Sequence, residues 1–525
     1  MFACNGGFSV DGPGIVEISV DPLELEIETG PLGTTPVQFN ATAHYAEGSV
    51  VPLPVVEWGV SNRSAGEIDD SGLFTPSSTN GGVTWITAEL DGIIGRATVN
   101  VLYAEAIVLD ESIDPEQFAG EPFSALTDSW LYPEDGVNIP RNTPSISFMW
   151  KDLGASAYRL RLTSATTDLS VYTTETRWNA DSALWPSITS TNAGGSIEAE
   201  LSAIVDGAYL AEKPIEVHVN RMDANGEIVY WSTSVGGFKA IPYGEESYDF
   251  LTQAQAGRCV ACHVISNEGT MAFTYDGGNQ SLGVKRLSDF SDIIPADTQY
   301  ANFKTFSPDS DWLLGTFEGK FRVWDARTGT FMHEFTVAGG GTHPDWSPDG
   351  SQVVFSWTDG HAADWSWAGP GRLALMDHLG DGQFGTPTVL IDPGAGKKAY
   401  YPTWSPDGEW IAYNVSTGDA YDDPDAEVWV VSKDGQHNVR LDFANNEGQL
   451  TNSWPRWGPL PDDDVLWLTF ASKRFYGDIT AGNPQIWVSA FDPALAEADQ
   501  DPSWPAFWLP NQDVTTSNHI PQWTQ

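Results

Sequence analysis

Trp404-Ser-Pro-Asp-Gly408, followed at once by Trp410-Ile-Ala-Tyr-Asn414, decides the fold of this chain. An apolar strand ends in an aromatic residue, Pro-Asp-Gly reverses the chain, and a second apolar strand leaves the turn. The unit recurs as Phe306-Ser-Pro-Asp-Ser310 before Trp312-Leu-Leu-Gly-Thr-Phe317, and as Trp346-Ser-Pro-Asp-Gly350 before Val353-Val-Phe-Ser-Trp357. Degenerate copies stand at Trp457-Gly-Pro459 and Trp523-Thr524. A third strand follows in register: Phe321-Arg-Val-Trp-Asp325, Arg372-Leu-Ala-Leu-Met376, Val428-Trp-Val-Val431 and Gln485-Ile-Trp-Val-Ser489. Repeats of one β-supersecondary unit bury their faces by stacking on their neighbours, so radial all-β architecture is expected.

This pattern resembles the TolB-like β-propeller repeat over about 245–525. Ser266-Asn-Glu-Gly-Thr-Met-Ala-Phe273 aligns with Ser347-Pro-Asp-Gly-Ser-Gln-Val-Val354. The alignment gives six first-strand positions, around Cys262, Phe303, His343, Tyr401, Ser453 and Ile520. The last has no room for its own outer strands, so the C-terminal strand should pair with material from before the first blade. Six blades are expected, with five or seven the alternatives.

Residues 259–263 read Cys-Val-Ala-Cys-His, the c-type haem attachment signature, in a chain with three cysteines. Two thiols at that spacing suit the two vinyl groups of one haem, and the adjacent histidine suits its iron. Zinc wants about four ligands, and no second Cys/His pair with ligand spacing exists. A disulfide would leave His263 unexplained. The sequence therefore predicts one haem c on Cys259 and Cys262, with His263 as proximal ligand, at the mouth of the channel. A short helix is expected within Tyr248–Gly257. The distal candidates are His343, His519 and Met271. His218, His333, His361, His378 and His437 read as ordinary polar residues.

The rest of the chain is also β-rich in pattern. Trp58-Gly-Val-Ser-Asn62, Ile68-Asp-Asp-Ser-Gly-Leu-Phe-Thr75 and Ala97-Thr-Val-Asn-Val101 resemble a group 2 bacterial immunoglobulin-like domain over 21–103. Tyr158-Arg-Leu-Arg-Leu162, Ile215-Glu-Val-His-Val219 and Gly226-Glu-Ile-Val-Tyr-Trp231 are similar to a fibronectin type III sandwich over 130–241. The expected order is a tether at 1–20, a sandwich at 21–103, a linker at 104–129, a sandwich at 130–241 and a propeller at 242–525. Cys4, between a small residue and Asn-Gly-Gly, resembles a lipoprotein cleavage point and is the lipidation candidate.

The net charge of −47 repels nucleic acid and anionic membranes and suits solubility or a cationic partner. No apolar run of about 18 residues occurs, so no membrane-spanning helix is predicted. Asp422–Asp425, Asp462–Asp464 and Asp377–Gly382 each lack a full calcium loop and read as solvated turns. No Gly-x-Ser-x-Gly elbow is present, which disfavours a hydrolase. The expectation is an exported monohaem cytochrome in the periplasm or at the cell surface, serving a redox partner. The alternatives are a surface binding or polymer-forming protein in which haem is secondary, and, less favoured, a haem peroxidase.

Overall fold

In the computed structural model, the Ser-Pro-Asp-Gly turns are built by their own side chains. Ser347 donates its hydroxyl to Asp349 at 2.6 Å and accepts the backbone N–H of Gln352 at 2.9 Å. Ser405 does the same with Asp407 and Trp410. Gly350 and Gly408 take φ of +73° and +72°, left-handed values that favour glycine. Ser266 receives the N–H of Thr270 at 3.0 Å and Gly269 takes φ of +73°, so Ser266–Gly269 is the same turn in degenerate form.

The structure describes residues 14–524 except 181, 277–280, 359, 361–366, 368, 422, 447, 449, 461–464, 480 and 481. Cys4, His361, Asp422 and Asp462–Asp464 therefore lie outside the described residues. The chain forms two compact units, 1–129 with 152–219, and 130–151 with 220–525.

The second unit carries six antiparallel sheets. Their innermost strands are β1 (Val260–Ile265), β2 (Lys304–Phe306), β3 (Gly341–Trp346), β4 (Lys398–Trp404), β5 (Ser453–Trp457) and β6 (Asn518–Thr524). Each innermost strand touches the next, and β6 touches β1, so the ring closes as a six-bladed propeller. Five blades are sequential hairpins. The sixth pairs β6 with Glu227–Ser232, then Gly237–Pro242, then Tyr248–Leu251. Apolar layers such as Leu314, Val323, Val353, Phe355 and Met376 fill the seams between blades.

The structure departs from three sequence expectations. Gly226–Trp231 does not close a sandwich: Glu227–Ser232 is a blade strand held by the C-terminus. Alternation looks identical in both settings, and only the non-local partner distinguishes them. Tyr248–Leu251 is that blade's outer strand, and only Gln253–Ala256 is helical. Residues 104–129 do not all form a linker, because one strand runs from Ile93 to Val108. It pairs antiparallel with Gly82–Leu90 and parallel with Thr167–Thr173, joining both halves of the first unit in one sheet.

Trp130–Lys151 belongs to the propeller unit. Tyr132 packs edge-on against Tyr476 with centroids 4.9 Å apart, and its hydroxyl accepts the Trp508 N–H at 3.2 Å.

Candidate functional site: the haem-motif strand and the propeller channel

The helix before β1 is held by a capping box between Thr252 and Gln255 and ends at Gly257, φ +82°. Cys259 follows at the start of β1 and is half-buried. It lies beside the turn at Gly236, where a Cβ would stand 3.4 Å from its sulfur. Arg258 pairs with Asp276 at 3.0 Å and Asp297 at 2.8 Å, pinning this end of the strand to neighbouring loops.

Halfway along β1 the ladder slips between Ala261 and Val264, a β-bulge. Cys262 sits in it with φ of +45°. The same left-handed residue recurs at His343 (+50°), Tyr401 (+50°), Trp454 (+59°) and Ile520 (+50°). The expected first-strand register is therefore present, with Trp454 one residue beyond the expected Ser453. Each bulge aims its residue at the propeller axis. Cys262, Phe303, His343, Tyr401, Trp454 and Ile520 line one axial cavity of about 20 Å³. The following residue is proline in four blades, at Pro344, Pro402, Pro455 and Pro521. In the other two it is His263 and Lys304. The motif's Cys-His pair thus occupies the repeat's bulge dipeptide.

His263 is 5% exposed and turned into the seam between the first and sixth blades. Its Nε2 lies 3.2 Å from the carbonyl oxygen of Val229, and its ring is 4.6 Å from Phe238. Burial pushes its pKa down to about 3, so the imidazole is neutral, donates from Nε2 and leaves Nδ1 without a hydrogen-bond partner among the described residues. Cys259 and Cys262 are thiols and not a disulfide, and burial pushes the Cys262 thiol up.

The donor chemistry fits a covalently held haem: two thiols, and a neutral imidazole whose tautomer a backbone carbonyl fixes. The packing does not. The cavity shared by Cys262 and His263 is about 20 Å³, far below the ~300 Å³ and more of ordinary cofactor pockets. His263 is held by the Val229 carbonyl and the Phe238 ring, which occupy its Nε2 and one side of its imidazole.

Of the distal candidates, only His343 shares a cavity with Cys262. Its ring is caged by Phe303 at 4.1 Å, Tyr401 at 4.2 Å and Trp367 at 5.3 Å. Burial holds its pKa well below the usual range. His519 stacks on Tyr421 at 5.7 Å and is not part of that lining. Met271 is fully buried in an apolar layer with Val260 and Phe273, so it does not reach the channel. Among the described residues no group of three or more His, Cys, Asp or Glu is arranged to hold a metal ion.

Where the turns gather, the channel opens into a funnel of about 710 Å³. Phe306, Trp346, Trp404, Trp457 and Trp523, one from each of five blades, contribute to its wall while remaining at least 93% buried. Inside it, polar residues join adjacent blades. Thr305 accepts the Trp346 N–H at 3.2 Å, and Asp345 accepts the Trp404 N–H at 2.8 Å. Gln522 exchanges two bonds with the backbone of Ile265, at 2.8 and 3.0 Å. The funnel was not among the sequence expectations. Its sequence signal is a polar residue one before each aromatic, as in Thr305-Phe306, Asp345-Trp346 and Gln522-Trp523.

Fold and channel define a six-bladed β-propeller with an aromatic axial constriction and a wide turn-side mouth. No family profile matches the chain, and no curated protein matches it. Solved structures do match. TolB from Acinetobacter baumannii aligns at 16% identity and TM-score 0.40, covering 62% of this chain and 79% of that one. An Agrobacterium tumefaciens protein assigned to TolB aligns at 16% identity and TM-score 0.34, covering 55% and 89%. Hydrazine synthase of Kuenenia stuttgartiensis aligns at 14% identity and TM-score 0.31, covering 44% and 62%.

Proposed function

We propose that this chain is an extracytoplasmic monohaem c-type cytochrome. Cys259 and Cys262 would form the thioethers and His263 would bind the iron. Bound there, the haem would supply a one-electron carrier. The observation that supports the reading is the complete Cys-Val-Ala-Cys-His run entering an innermost strand, with Cys262 and His263 on that strand. For His263 to serve, its ring must leave the Val229 carbonyl and the face of Phe238. In this reading 21–103 is an immunoglobulin-like spacer, the β-module after it is fibronectin-like, and Cys4 is a lipid anchor. The −47 charge favours a cationic redox partner. No helix among the described residues is long and apolar enough to cross a membrane.

The test is export of the full chain in a host that matures c-type cytochromes. Its denatured spectrum should report one covalent haem, lost in the Cys259→Ser/Cys262→Ser double variant. Low-spin iron would mean that a distal ligand is in place, and high-spin iron with an open site would favour peroxidase chemistry. A colourless product with both thiols open to alkylation overturns the haem reading.

A second reading has its own support. The funnel of about 710 Å³ is large enough for a ligand or a partner segment, which suits a surface binding or self-assembling protein. Long polymers on size exclusion would favour it.

A further inference from the structure

We propose that the propeller axis holds one monatomic anion, chloride in a saline medium, in the cavity walled by Arg456 and Lys304. The inference is independent of haem attachment.

Both cations line the axial cavity of about 20 Å³. Arg456 stands on β5, two residues beyond the bulge residue Trp454. Its Nη1 is buried and has no hydrogen-bond partner among the described residues. A guanidinium is a donor-only cation, so its unfilled N–H calls for an acceptor in the cavity. Lys304 is 5% exposed and donates from Nζ to the carbonyl oxygen of Asn302 at 2.9 Å. A carbonyl dipole does not compensate an ammonium charge, and burial pushes the Lys304 pKa down to about 8, a shift that a bound anion would reverse. Buried charges without a counter-charge are costly and are normally paired.

Asp345 is a carboxylate in the field of Arg456, and its Oδ2 accepts the neutral Trp404 N–H. It is a weak counter-ion all the same. Among the described residues no ion pair within 4.0 Å joins it to either cation. Burial also raises its pKa, which weakens it as a counter-ion.

Cavity size selects the ligand. About 20 Å³ is room for a single water or a monatomic ion, and too little for phosphate, sulfate or a carboxylate. A water there would satisfy hydrogen bonds but bring no negative charge to the two basic side chains. The remaining wall is largely aromatic, with Tyr401 and Trp454 stacked at 3.6 Å. The −47 of the whole chain repels anions in general. Retention would therefore be a property of this cavity and not of the surface.

The full chain is dialysed into sodium gluconate and titrated with sodium chloride or bromide at constant ionic strength, with thermal unfolding as readout. The expected result is a saturable rise in Tm with either halide and none with sulfate. Arg456→Gln should weaken the halide effect at least tenfold, while the surface variant Lys433→Gln keeps it. Crystals of the wild-type chain grown in bromide should show an anomalous peak on the axis beside Arg456, which decides the matter even if Arg456→Gln fails to fold. Overlapping halide and gluconate curves for the wild type, or an axial cavity without anomalous signal, would overturn the proposal.

Discussion

His263 shows how one side chain can satisfy two codes. In the linear signature it follows the second cysteine as an iron ligand; in the propeller it fills a bulge position that is proline in four other blades. Its burial has a measurable consequence. The folded pKa of about 3 lies below the unfolded value near 6.5. Below pH 6.5 the unfolded chain takes up a proton that the folded chain does not, so stability falls as pH drops from about 6.5 towards 3. The contribution is on the order of a few kcal/mol, since each pH unit separating the two values is worth about 1.4 kcal/mol. His263→Gln should make urea midpoints less steep across pH 6.5 to 4. An unchanged pH profile would show that the ring is solvated and not held in the seam. His263 stood out in the sequence as a candidate ligand because its neighbours are cysteines. Its place in the seam was not, because Val229 and Phe238 lie far earlier in the chain and belong to a blade closed by the C-terminus.

At the scale of the element, the Ser-Pro-Asp-Gly turn carries its instructions locally, which is why the repeat could be read directly. Ser405 bonds Asp407 and caps Trp410, and Gly408 supplies the left-handed φ of +72°. Gly408→Ala forces a Cβ into that conformation, with Pro348 3.7 Å away and no clash. Its cost should be backbone strain alone, about 1 kcal/mol. Ser405→Ala should cost a similar ~1 kcal/mol through its lost bonds. Both values are read as shifts of the chemical-unfolding midpoint of the propeller, and a null effect would show that the turns follow the strands instead of directing them. The strand Ile93–Val108 teaches the opposite lesson. Its second half carries acids and small residues that read as linker, yet it is ordered by parallel pairing with Thr167–Thr173.

At the scale of the whole propeller, stability depends on one non-local closure. β6 supplies the innermost strand of a blade whose other strands precede β1 in sequence. Deleting Asn518–Gln525 should unpair Glu227–Ser232, raising amide exchange there and in β1, while the blades of β3 and β4 stay protected. Uniform protection after the deletion would mean that the ring does not need this strand. The need for a closing strand was legible from the missing outer strands after Ile520. The identity of its partner was misread, because the stretch ending at Trp231 alternates as a sandwich strand also does.

The central claim is chemical, and intact mass under denaturing conditions tests it most directly. Full-length chain exported through a c-type maturation pathway should carry the mass of one haem, confined to the peptide that contains Cys259 and Cys262. An unmodified mass, with both sulfurs labelled by iodoacetamide after unfolding, would contradict it.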